Sequence, residues 1–103
     1  MTSILVIDDE PSILHAFRRA FDGPEYRIAT AADGARGLEL AESSRPDVVV
    51  LDLNLPDQSG LEVFRSLRKL DARIPVVFIT GHGTTETAIE AMQEGAFDYL
   101  LKP

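Results

Sequence analysis

Cysteine is absent from the 103-residue chain, which excludes a disulfide scaffold, a Cys-ligated metal and a thiol nucleophile. A thiol-free chain suits a reducing cytosol, so a cytoplasmic location is the expectation. Basic residues are few: 10 Lys+Arg against 17 Asp+Glu leave a formal net charge of −7. Phosphate backbones repel such a chain and no Lys/Arg cluster offsets the imbalance, so no direct nucleic-acid contact is expected within this segment. Long apolar runs are also missing. Val48 to Leu51 falls far short of the ~20 residues a bilayer span requires. No basic stretch precedes the N-terminal hydrophobic run, so neither a signal peptide nor a membrane segment is expected. No repeat or low-complexity tract interrupts the chain. What is present is 45% hydrophobic and 26% charged residues, a globular balance, over a length that fits one domain covering residues 1–103.

Five short apolar runs read as strands: Ile4 to Ile7, Tyr26 to Ala29, Val48 to Leu51, Val76 to Ile79 and Tyr99 to Leu101. Several are unbroken Val/Ile/Leu blocks, the pattern of parallel strands covered on both faces. Helical spacing fills the gaps. Ile13, Leu14, Phe17 and Phe21 form one stripe that starts after Pro11 and is stopped by Gly23-Pro24. A second helix is expected over Asp33 to Ser43, with Leu38 and Ala41 as its core stripe and Ala35 contributing weakly; it ends before Arg45-Pro46. A third runs from Leu61 to Leu70 behind Ser59-Gly60, presenting Leu61, Phe64 and Leu67. The fourth spans Thr85 to Glu94, with a thin face of Ala88, Ile89, Met92 and Ala96 and Gly95 as its stop. Strict β-α alternation points to a doubly wound parallel α/β sheet with right-handed crossovers. The alternation calls for one more helix after Lys102-Pro103, so the domain reads as truncated after its fifth strand. Uncovered apolar surface there would favour homodimerisation or marginal stability.

In open parallel sheets functional groups gather at the carboxyl ends of the strands. Here those ends carry Asp8-Asp9-Glu10, Asp52 with Asn54 beyond it, Thr80-Gly81-His82, and Lys102. Three aspartates on one rim repel each other unless a cation sits among them, and hard oxygen ligands suit Mg²⁺. A lysine and a hydroxyl beside a metal suggest phosphate: both could neutralise or hydrogen-bond the equatorial oxygens of a transferring phosphoryl group. Asp52 is then the natural nucleophile, since an ionised carboxylate attacks phosphorus without a general base.

The runs Val6-Ile7-Asp8-Asp9-Glu10, Val50-Leu51-Asp52-Leu53-Asn54-Leu55-Pro56, Ile79-Thr80-Gly81-His82 and Asp98-Tyr99-Leu100-Leu101-Lys102-Pro103 resemble the receiver domain of two-component response regulators. The resemblance spans essentially the whole chain. Gly81 through Thr84 and Ala88 through Tyr99 look most like receivers of NtrC-type transcriptional activators. It implies a flavodoxin-like five-stranded sheet in the order 2-1-3-4-5. It makes Asp52 the phosphoacceptor, charged by a histidine kinase or phosphotransfer protein. Asp8, Asp9 and Asp52 become Mg²⁺ ligands with the backbone carbonyl of Asn54, Lys102 the phosphate-binding lysine, Thr80 the hydroxyl that reorients, and Tyr99 the aromatic switch. It further implies a cis Lys102–Pro103 bond, a responsive surface from Glu86 to Tyr99, an effector domain or protein outside this segment, and a domain that assists its own phosphorylation and dephosphorylation without being a conventional enzyme.

Plainer roles stand beside these. Asp8, Asp9 and Glu10 before Pro11 have the composition of helix-capping acids. Asp52 alone would pass for a loop acid, Thr80 for a strand-end hydroxyl, Tyr99 for a half-buried edge aromatic and His82 for a solvent-facing loop residue. Rival functions are a pseudo-receiver that binds partners without phosphorylation and an aspartate-nucleophile phosphatase. The second requires a general acid two positions after Asp52, where Asn54 stands. A nucleotide- or flavin-binding module requires a Gly- or Ser/Thr-rich loop after the first strand, where acids stand instead.

Overall fold

A computed structural model describes residues 1–81 and 85–102, apart from the Thr85 side chain. His82 and the Lys102–Pro103 bond, both given expectations above, lie outside the described residues. Five strands, β1 (Thr2–Ile7), β2 (Tyr26–Ala31), β3 (Val48–Asp52), β4 (Val76–Thr80) and β5 (Asp98–Leu101), alternate with helices α1 (Pro11–Ala20), α2 (Gly34–Ser44), α3 (Gly60–Leu70) and α4 (Thr85–Gln93). These five strands pair in parallel, in the order β2-β1-β3-β4-β5. That is the doubly wound, flavodoxin-like arrangement expected.

The period-2 alternation of side chains divides the apolar strands between two cores. Leu5, Ile7, Val49, Leu51, Val76 and Phe78 face α2 and α3, where Val63, Phe64 and Leu67 close the larger core. Ile4, Val6, Val50 and Ile79 face the opposite side, against Ile13, Leu14 and Phe17 of α1. Burying both faces of β1, β3 and β4 explains why their sequences do not alternate. β5 is less protected: Tyr99, Leu100 and Leu101 are 40%, 49% and 72% exposed.

Helix ends follow local chemistry. Asp33 Oδ1 accepts from the Arg36 amide and Ser59 Oγ from the Glu62 amide, each satisfying a donor of the first turn. Arg45 closes α2 in the left-handed region (φ 46°) rather than the extended conformation its following proline favours. Gly95, at φ 106°, ends the α4 segment as expected.

Two helix faces differ from the sequence reading. On α2, Ala35 is exposed, and the buried positions are Gly34, Gly37 and Ala41. A Cβ at Gly37 would come within 2.5 Å of Ile7 Cδ1, so glycine allows α2 to approach β1 closely. On α4, Ile89 and Met92 point outward, 50% and 38% exposed, while Ala88 and Ala91, with Ala96 just beyond the helix, are buried. Small side chains let that segment lie near the sheet; the larger apolar residues face solvent. Arg65 Nη2 ties α3 to the same segment through Glu94 Oε2 at 2.7 Å and Glu90 Oε1 at 3.3 Å.

Candidate phosphoryl-transfer site

Parallel pairing sends the carboxyl ends of β1, β3, β4 and β5 to one rim, and the residues that follow them meet there. At β1 the Asp8 Oδ1 accepts the Glu10 amide proton at 2.8 Å, and at β3 the Asp52 Oδ1 accepts that of Asn54 at 3.0 Å. The two strand ends therefore use the same local device, a carboxylate bonded to the amide two residues on. One oxygen of each aspartate is committed to its own loop, and the other is left for the cleft.

Lys102 fills the space between those inward oxygens. Its Nζ lies 3.0 Å from Asp8 Oδ2, 3.3 Å from Asp52 Oδ2 and 2.7 Å from Glu10 Oε1. The lysine is placed by β5 pairing, its amide donating to the Thr80 carbonyl at 2.8 Å, and its aliphatic stem runs beside Gly81. Asp8 and Asp52 are 0% and 2% exposed, whereas Asp9 is on the surface. Thr80 is buried, Asn54 exposed, and Tyr99 lies on β5 beside Phe78 of β4.

Burial is the largest influence on Asp52 and raises its pKa above the ordinary 3.8; the Asn54 amide opposes this, the Asp8 charge adds to it, and Lys102 opposes it. Burial depresses Lys102, but the hydrogen bond to Glu10 and the close negative charges of Asp8 and Asp52 more than offset that, so its pKa stands well above the usual lysine range. Lys102 is thus a fixed cation, and Asp52 is a carboxylate whose charge the site only partly compensates.

The Lys102–Asp8 approach is an ion pair without hydrogen-bond alignment. Among the described residues Asp8 Oδ2 therefore has no hydrogen-bond partner although it is buried, and neither has Thr80 Oγ1. Buried unsatisfied oxygens are uncommon and call for a ligand or a functional reason. Ligand atoms of Asp8, Asp9 and Asp52 also lie within 4.8 Å of one another. An orphaned carboxylate oxygen in a three-aspartate group fits a hard divalent cation. Asp9, Glu10, Asp52, Asn54, Gly81 and Lys102 line an open cleft above these atoms. An apolar hollow on α1, among Ala16, Phe17, Ala20 and Phe21, offers no polar side chain for chemistry.

The structure thus brings Asp8, Asp9, Asp52, Asn54, Thr80 and Lys102 to one rim. Two contributors escaped the sequence reading. In the sequence Glu10 is one acid of an acidic run, yet it is the acid nearest the lysine. Asp57 caps α2 from the loop after β3, its carboxylate accepting the Gly34 and Ala35 amides at 2.8 and 3.0 Å. Its pKa is lowered chiefly by the Gly34 bond. No sequence signal points to either contact, because both join segments far apart in the chain.

Comparison with known proteins agrees with this geometry. The family model described as "Response regulator receiver domain" matches residues 4–103. The C4-dicarboxylate transport transcriptional regulatory protein DctD of Pseudomonas aeruginosa is 43% identical over 103 residues, covering 99% of this chain and 22% of that protein. NtrC-type and OmpR-type transcriptional regulators both occur among the relatives. The chain spans less than half the length of the curated relatives it matches, 45% in the case of KdpE of Mycobacterium tuberculosis. A response regulator receiver domain protein from Clostridium thermocellum superposes with a TM-score of 0.92 at 37% identity, covering 100% of this chain and 83% of that one. A Burkholderia pseudomallei response regulator, solved with a phosphorylated aspartic acid, a calcium ion and citrate, gives 0.90 at 29% identity, over 100% of this chain and 61% of that one.

Proposed function

Since the chain belongs to the response regulator receiver domain family, we propose that it accepts a phosphoryl group on Asp52 and relays the change to an effector. The observation that carries this reading is the pairing of Asp52 with Lys102, 3.3 Å apart, beside a buried Asp8 oxygen that lacks a hydrogen-bond partner among the described residues. The donor is a histidine kinase or phosphotransfer protein in the cytoplasm, and the effector lies outside this segment.

In the reaction an Asp52 oxygen attacks phosphorus, the bond from phosphorus to the donor breaks, and the leaving group departs with the electron pair. No proton needs to leave Asp52, because its carboxylate is the attacking form. Lys102 holds the phosphoryl oxygens by charge and hydrogen bonding, and Thr80 turns its free hydroxyl onto one of them. Asp8, Asp9 and Asp52, with the Asn54 carbonyl, would hold Mg²⁺, which supplies the remaining charge neutralisation at the transferring group. The same groups assist the later attack of water that removes the phosphoryl group.

Drawing Thr80 and Lys102 toward a phosphorylated Asp52 pulls on the ends of β4 and β5 together, and through them on the α4 segment and Tyr99. That differential contact biases a conformational equilibrium. Intact mass of the wild type and Asp52→Asn, incubated with a small acyl phosphate with and without Mg²⁺, tests the reading. A single Mg²⁺-dependent adduct confined to the wild type is expected. A folded, Mg²⁺-binding wild type without an adduct would overturn it in favour of a partner-binding module.

A further inference from the structure

The nearest acceptor to the Lys102 ammonium is not the proposed phosphoacceptor. Glu10 Oε1 stands at 2.7 Å, closer than Asp8 Oδ2 at 3.0 Å or Asp52 Oδ2 at 3.3 Å, and only the Glu10 and Asp52 contacts are hydrogen bonds. Glu10 occupies the N-cap of α1, yet its side chain makes no bond to the helix amides. Its carboxylate reaches instead across 92 positions of sequence to the lysine. The environments of the two hydrogen-bonded acids differ. The Glu10 side chain is 53% exposed, against 3% for that of Asp52 and 6% for that of Lys102.

This asymmetry decides which contact yields. A phosphoryl group on Asp52 brings several new anionic acceptors to an ammonium with three N–H bonds. Lys102 must exchange a partner to meet them. Separating it from Asp8 strips a cation from a buried carboxylate, whereas a Glu10 released to solvent is rehydrated at little cost. Resting on the phosphoacceptor reading above, we propose that Glu10 is a positioning residue: it holds Lys102 toward the mouth of the cleft and is the partner that Lys102 releases to the phosphoryl group.

Two opposite effects follow from one carboxylate. Its charge adds to the attraction of the site for a divalent cation. Its hydrogen bond competes with the phosphoryl group for Lys102, and its charge repels an anionic donor at the mouth. Neutralising it should therefore weaken Mg²⁺ binding and yet speed phosphoryl transfer once Mg²⁺ is saturating. A residue that merely supported the fold would impair both.

The test uses the whole chain as wild type, Glu10→Gln and Glu10→Asp. Calorimetry gives Mg²⁺ affinity, and intact mass gives initial phosphorylation rates from acetyl phosphate at saturating Mg²⁺. In that transfer the Asp52–phosphorus bond forms, the phosphorus–oxygen bond to acetate breaks, and acetate leaves with the electron pair. For Glu10→Gln, Mg²⁺ affinity is expected to fall and the rate to rise, each on the order of 3- to 10-fold. Glu10→Asp keeps the charge but draws it back by one methylene; its Mg²⁺ affinity stays near wild type while its rate still rises. The Lys102 Nζ resonance of metal-free protein should move in both variants. Unchanged rates with an unmoved Lys102 signal would overturn the proposal while leaving the phosphoacceptor reading intact. Parallel loss of affinity and rate would reduce Glu10 to a structural residue. A wild type that takes no adduct removes the phosphoacceptor reading and the Glu10 role with it.

Discussion

Replacing Lys102 by methionine keeps much of the stem's volume and removes the charge. Asp8 and Asp52, 0% and 2% exposed, then face each other without their shared cation. Leaving a buried charge uncompensated costs about 3–5 kcal/mol, a large part of the roughly 5–15 kcal/mol that holds a domain of this size folded. The expected fall in Tm is on the order of 15–30 °C. The pH dependence has a definite sign. Burial already holds the folded-state pKa of Asp52 above its ordinary 3.8, and loss of the lysine raises it further. An acid with a raised folded pKa destabilises the fold above that pKa, and the penalty fades as pH falls through it toward 3.8. The gap between Lys102→Met and wild type should therefore be widest at pH 7 and narrow toward pH 4. In the wild type the lysine contribution stays complete throughout that window, because its raised pKa keeps it charged until pH exceeds the ordinary 10.5. Urea unfolding of metal-free protein across pH measures the gap. Adding Asp52→Asn to Lys102→Met should restore about 1–3 kcal/mol by removing one unpaired charge. A loss below about 1 kcal/mol, or a gap indifferent to both pH and Asp52→Asn, would refute the reasoning and show that water reaches the cluster freely.

Thr80→Val should leave stability unchanged or raise it by up to about 1 kcal/mol, because it removes a buried hydroxyl that has no hydrogen-bond partner among the described residues; urea midpoints check this, and a clear loss would mean that the hydroxyl has a structural bond. Gly37→Ala should cost about 1–3 kcal/mol, since its Cβ meets the buried Ile7 side chain at 2.5 Å and must push α2 off β1; a neutral result in thermal unfolding would show that α2 shifts freely. Ser59→Ala removes the cap on the Glu62 amide and should cost about 1 kcal/mol without changing Mg²⁺ affinity. Gly60→Ala, by contrast, sets a Cβ against the backbone of Asp52 and Leu53, and should weaken Mg²⁺ binding by moving Asp52 itself; calorimetry on the two variants separates the effects.

The fold was legible because its strongest signals are local. Unbroken Val/Ile/Leu blocks can be hidden only between two helical layers, and each observed strand contains the expected run with one or two residues added. The helix faces were less legible where size mattered more than hydropathy. Ile89 and Met92 outweigh alanine on any hydropathy scale, yet the close approach of the α4 segment selects Ala88, Ala91 and Ala96. Gly34 and Gly37 carry no hydropathy signal, although they are what permits α2 to pack. The rim residues could be anticipated because parallel strands deliver their carboxyl ends to one edge whatever the side-chain details. The Glu10–Lys102 bond could not be, since nothing in an acidic run distinguishes the acid that turns toward a lysine 92 residues away.

Placement of the rim also explains why an acidic cluster survives in a chain with net charge −7. Asp8 and Asp52 are each pinned by one oxygen to the amide two residues on, so neither can swing out to solvent without breaking its own loop. The lysine that meets them is set by β4–β5 pairing, through the bond from its amide to the Thr80 carbonyl. A register slip of one residue in β5 would turn the lysine side chain to the other face of the sheet and leave both carboxylates unpaired. The charge cluster therefore penalises wrong pairings of an exposed edge strand whose own apolar packing is weak. In this way the groups proposed to serve phosphoryl transfer also help specify the sheet that assembles them.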